Sequence, residues 1–266
     1  MKVGGPAARV FGVFFPLGLK TGKTRALALL GLFPVLLAVV ARIFLRGRSG
    51  DMAAVFTEIL MVFFLQLYVV ILALFYGTSV VAEEVENRTL AYLVTRPVPK
   101  PAVVLGKFAA YALLMFALVG VGLGVSFFVL NAPRLADPSL YLTFLRYLGV
   151  LGLGILAYTA FFTFLGALLK KAIIVGLIFG FGWENIIQYF PGSTQRFSLV
   201  HYLKSLLPYR PAGIVGGGGG RGVALLLFRL EPTPPLLAVL ALAALTAVFL
   251  GLACLLFRTK EYLYEE

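Results

Sequence analysis

Residues 59–82 read ILMVFFLQLYVVILALFYGTSVVA and run directly into Glu83-Glu84-Val85-Glu86-Asn87-Arg88. A helix of this length without a charge rises about 36 Å, more than the roughly 30 Å hydrocarbon core of a bilayer. The abrupt change to acidic residues marks where the chain leaves the lipid. A soluble core helix would be shorter and would carry a polar stripe.

The same pattern recurs along the chain. Of 266 residues, 61% are hydrophobic and 13% charged, with a mean hydropathy of +1.00. A soluble domain holds roughly a quarter charged residues and needs them to cover its surface. Here the charges lie in short stretches between apolar runs, which predicts six transmembrane spans at about 26–45, 57–82, 107–131, 146–169, 172–190 and 236–257. The fold class expected is all-α, a polytopic membrane protein with one transmembrane domain over 26–266. Arg42-Ile-Phe-Leu-Arg46 after the first apolar run replaces the small-residue site that would follow a cleaved signal peptide. Pro34 marks a possible kink in that span.

Residues 1–25 carry Lys2, Arg9, Lys20, Lys23 and Arg25, no acid, and apolar residues between them. They predict an N-terminal helix in the membrane interface. Lys and Arg number 13 on the side of the N-terminus and 10 on the other, five of the ten in one long segment. The bias predicts that both termini are cytoplasmic. The net charge of +12 then reflects helix ends beside anionic lipid, and no nucleic-acid-binding module accompanies it.

Enzymatic readings fail on inventory. One cysteine, Cys254, and one histidine, His201, exclude an internal disulfide and a multi-histidine metal site within the chain. Gly22-Lys23-Thr24 resembles the end of a P-loop, but Leu17 stands where the first glycine is needed. Gly216 to Gly220 lacks the lysine and hydroxyl that hold phosphate and magnesium, and reads as a linker. Gln66 and Glu184 are scant material for catalysis within the spans. No cofactor is expected on this chain. Gly120-x-x-x-Gly124 and Gly176-x-x-x-Gly180 have the spacing that lets helices approach closely, with packing inside one chain the favoured use.

Two connecting segments are longer than loops. On the coupling side, 83–104, Glu84 and Arg88 lie four apart, Leu90, Leu93 and Val94 form a short stripe, and Pro97, Pro99 and Pro101 hold the chain extended. The choice is between a solvated loop and a docking helix for a cytoplasmic partner. On the far side, 191–235, Leu199, Tyr202, Leu203 and Leu206 share a helical face away from His201, Lys204 and Ser205, with Ser198 as N-cap and Pro208 as stop. Glu184 is either a carboxylate at a pathway or gate, or a residue ending its span beside Trp183 in the aromatic belt.

The run Ala82 to Leu90, with Leu93 and Arg96-Pro97-Val98, resembles the first cytoplasmic loop of ABC-2 type transporter permeases. Trp183-Glu184, Phe190-Pro191-Gly192, Phe197-Ser198-Leu199 and His201-Tyr202-Leu203 are similar to the segment after the fifth span in a bacterial branch of that family. The resemblance implies a permease subunit of an ATP-driven transporter, an exporter, in the bacterial cytoplasmic membrane. It implies a homodimer or a related second permease, and a separate ATP-binding subunit carrying ATP and magnesium. Glu83, Glu84, Glu86, Asn87, Arg88, Leu90 and Leu93 would form the helix that couples to it, and the second and fifth spans would line the route. Short re-entrant or interfacial helices are expected before the last span, with Trp183, Glu184, His201 and Tyr202 at a gate or far-side interface. The rival reading is a membrane scaffold that recruits a partner without transport.

Overall fold

The computed structural model describes residues 5–44, 51–86, 99–187, 193–207 and 233–259, with the backbone alone at 51–54, 83–86 and 193. Among them there is no strand. Eight helices follow one another: α1 (Pro6–Lys20), α2 (Gly22–Phe44), α3 (51–86), α4 (Lys100–Leu130), α5 (Pro138–Leu168), α6 (Ala172–Ile186), α7 (Leu199–Ser205) and α8 (Pro235–Thr259). The protein is an all-α, multi-pass membrane protein. Five helices, α2, α3, α4, α5 and α8, are long and apolar enough to cross a bilayer. The expected fifth span, 172–190, is different: α6 rises only about 22 Å over its length.

The centre is α3, α4 and α5, with α2 and α8 outside it. Glycines set the closest approaches. A Cβ on Gly166 of α5 would lie 2.8 Å from the backbone oxygen of Thr78, and one on Gly77 of α3 would lie 2.9 Å from Cβ of Phe162. Backbones this close leave no room for a side chain, and dispersion contacts replace it. Away from the coupling segment, Phe56, Phe127, Phe144 and Tyr147 join the same three helices, with ring centroids 4.9–5.6 Å apart along the chain of contacts. Buried hydroxyls in the centre mostly satisfy themselves. Thr78, Ser126, Thr159 and Thr163 each donate to the carbonyl four residues back, so they leave no polar stripe facing a water path.

Two stretches are wound as π-helix: Ile59–Tyr68 within α3 and Ile178–Trp183 within α6. These are the spans that the family resemblance places along the route. They also pack together. A Cβ on Gly176 would lie 2.4 Å from Leu74, and one on Gly180 would lie 2.6 Å from Val70. The Gly176-x-x-x-Gly180 spacing therefore serves packing inside the chain. On Gly120 and Gly124 a Cβ would meet Leu148 and Phe144 of α5 at 3.5 Å and 3.8 Å, an ordinary contact distance.

Helix ends depart from the uncharged runs. α4 begins at Lys100, with Pro99 as N-cap and Pro101 in its first turn. The expected extended linker over 101–104 is thus already helix, because proline in a first turn costs no hydrogen bond. Lys107, placed by composition at the span's edge, is 1% exposed, and its ammonium lies 4.3 Å from the centre of the Phe14 ring. Helix α1 makes that possible by lying along α4, where Cβ of Val10 is 2.7 Å from a Cβ built on Gly106. The first span likewise starts earlier than expected. Gly22-Lys23-Thr24 forms its first turn, where Lys23 Nζ donates to Ser79 Oγ at 2.5 Å and Thr24 Oγ1 meets Tyr76 Oη at 2.6 Å. Pro34 sits inside α2 without ending it.

Candidate functional site

Glu184 lies at the end of α6, after the π-helical stretch, and is 1% exposed. Its carboxylate accepts from Ser198 Oγ, from the Leu199 amide at 3.0 Å and from the Val200 amide at 3.3 Å. Ser198 is in extended conformation and also accepts from the His201 amide at 3.4 Å, so it is the N-cap of α7. A short helix presents unpaired N–H groups and partial positive charge at its start. Glu184 satisfies those donors from another element. This neutralises much of the cost of burying a carboxylate at membrane depth. The fully buried hydroxyl of Tyr158 lies against the same carboxylate.

The other end of α7 is held as well. Arg146 Nη2 of α5 donates to the Leu206 carbonyl at 3.0 Å. A guanidinium at the C-terminus and a carboxylate at the N-terminus both oppose the helix dipole. Between them Leu203 packs on α5, 3.1 Å from a Cβ built on Gly154. A third tie leads to α8: His201 Nε2 and Thr233 Oγ1 are 3.0 Å apart, and the Thr233 amide donates to Ser205 Oγ at 3.2 Å.

These contacts give α7 a depth. Tyr158 and Arg146 are separated by about 18 Å along α5, and Tyr158 is near the middle of that span. Helix α7, about 10 Å long, therefore lies inside the membrane thickness between these two levels, and the long Arg146 side chain spans the remainder to its end. Helix α6 ends where α7 begins, with Glu184 as the stitch between them. The arrangement is a crossing in two pieces, and irregular backbone at this depth is tolerable where protein surrounds it and satisfies its polar groups.

Of the residues singled out from sequence on this side, Glu184 and His201 meet on α7. Tyr202 stacks edge-on to His201 at 5.4 Å, and Trp183 faces outward, 48% exposed. One expectation is corrected: His201 is buried at 2% rather than turned to the polar side, because the head of α8 covers that face and supplies Thr233. Arg146, Tyr158 and Thr233 were not singled out; each is an ordinary residue until the fold brings it to α7. On the opposite side, Glu83, Glu84 and Glu86 lie in the last turns of α3, which is helical to Glu86. Asn87, Arg88, Leu90 and Leu93 lie outside the described residues.

Residues 48–262 match a family model described as ABC-2 family transporter protein. Helices α1 and α2 precede the matched region. No curated protein matches the chain.

Proposed function

The chain belongs to the ABC-2 family of transporter proteins, and from that premise we propose that it is the permease subunit of an exporter powered by a separate ATP-binding subunit docked on 83–104. The observation that carries this reading is the family match together with α3, a helix that runs through the molecular centre and continues unbroken to Glu86. A stiff rod with one end in a cytoplasmic segment and the other among the membrane helices transmits displacement without bending. Closure of an ATPase pair around ATP and magnesium would push Glu83–Leu93, and α3 would carry that push to its contact with α6 at Val70 and Leu74. The π-helical stretches border that contact, and wide turns of this kind change register at lower cost than α-helix. Transport would proceed from the bacterial cytoplasm across the inner membrane through a dimer of this subunit or of two related ones.

The test is affinity purification of the tagged chain in mild detergent, with the copurifying proteins identified by mass spectrometry. A stoichiometric subunit with a Walker motif is expected, and Glu84→Ala with Arg88→Ala should remove it. An ATPase retained by the double variant would overturn the docking role of 83–104. No ATPase with the wild-type chain would overturn the power source itself.

A further inference from the structure

Helices α2 and α4 touch near their middles, where a Cβ on Gly122 would lie 3.2 Å from the Gly31 carbonyl oxygen. Beyond that crossing Arg42 is the residue of α2 that lines the outer face of α4. A groove of about 790 Å³ on the outer surface of the bundle is floored by Gly120, Val121, Gly124, Val125 and Phe128 and closed at its end by Arg42. Its floor runs for about 12 Å along α4 from Gly120 to Phe128, and Val121 is 69% exposed. The Arg42 guanidinium reaches across from α2 to donate to the Val129 carbonyl. A guanidinium carries five N–H donors in a fork, so this bond leaves it able to engage an anion too.

We propose that this groove is a binding site for an anionic phospholipid, one acyl chain lying along Gly120 to Phe128 and the phosphate resting on Arg42. Apolarity and charge agree. The slot lies within a membrane-crossing helix, its floor is apolar, and its cation stands at the helix end, where a phosphate would be. Arg134 is exposed just past the same end of α4, so with Arg42 the mouth favours net negative charge.

The full-length protein, stripped of lipid in mild detergent, is titrated with phosphatidylglycerol or phosphatidylcholine and examined by native mass spectrometry. Phosphatidylglycerol should bind in preference, and Arg42→Ala should weaken it about fivefold. Gly124→Leu should abolish the site by filling the slot. Should that variant fail to fold, Val125→Trp fills the same space from a surface position. Binding unchanged in the filled variants, or equal binding of both lipids, would overturn the proposal. So would loss of dimers in the filled variants with lipid uptake intact, since the face would then belong to a second copy.

Discussion

At the scale of single residues, the carboxylate of Glu184 carries the most consequence. It is buried, yet it has a cluster of donors at the start of α7, so its role is structural before it is anything else. Glu184→Ala strands two buried amides and the Ser198 hydroxyl. Each unsatisfied group costs roughly 1–3 kcal/mol, so α7 should detach locally before the rest of the molecule unfolds. Hydrogen exchange should report it: the amides of residues 199–203 are expected to exchange at least about tenfold faster, since 1.4 kcal/mol is a factor of ten. Glu184→Gln keeps an acceptor oxygen and loses the charge, so its effect should be intermediate. Trp183→Ala, on an outward-facing neighbour, should leave these amides unchanged. Protection of α7 that survives Glu184→Ala would remove the stitch and return Glu184 to the reading of a free acid at a gate.

At the scale of helices, the pairing of α3 with α5 is the rigid element on which coupling would depend, and it rests on Gly77 and Gly166. Gly166→Ala forces a methyl group against the Thr78 backbone, which has no rotamer to move aside. Overpacking of this kind costs about 1–3 kcal/mol, and the purified protein should melt several degrees lower in detergent. Gly149→Ala on the same helix is the control, because a Cβ there meets nothing within 4 Å and alanine is the better helix former. Equal melting of the two variants would show that the close approach is not tight. Neither Gly77 nor Gly166 stood out as a contact: Ala73-x-x-x-Gly77 has the small-residue spacing only with an alanine, and Gly166 has Phe162 and Lys170 four residues to either side. What was legible is what single-residue chemistry controls: the apolar runs, the serine that caps α7, the proline that opens α4. Helix ends were misjudged where a partner changed the rule, as at Lys107, which is buried beneath α1 with its ammonium over the Phe14 ring. The clasp on α7 was legible at Ser198 and Glu184 alone, since its other members come from 38 residues before Glu184, at Arg146, and from Thr233 at the head of α8.

At the scale of the whole molecule, the topology turns on whether α6 and α7 together carry the chain across. Helix α6 by itself falls short of a bilayer, so the helices long enough to cross number five among the described residues, and these alone would put the two termini on opposite sides rather than both in the cytoplasm. The packing of α8 argues for a crossing. Thr233, at its head, is tied to α7 near the level of Arg146, while Phe249 packs on Phe161 and Phe164 with ring centroids 5.1 Å and 5.7 Å apart. Helix α8 therefore runs alongside α5 in the same direction and ends at the level where α5 ends. The chain leaves α5 at Lys171 and re-enters α8 at Thr233, at the other end of the bundle, an arrangement in which the stretch between would traverse the membrane. Single cysteines introduced into a Cys254→Ser background test this with a membrane-impermeant maleimide on intact cells. Asp137, Lys171 and Thr259 are all exposed and lie at helix ends. Asp137→Cys should label from outside, whereas Lys171→Cys and Thr259→Cys should label only after permeabilisation. If Thr259→Cys labels together with Asp137→Cys, α6 and α7 dip and return, the C-terminus is external, and the outward push drawn from α3 through α6 has no through-going element to act on.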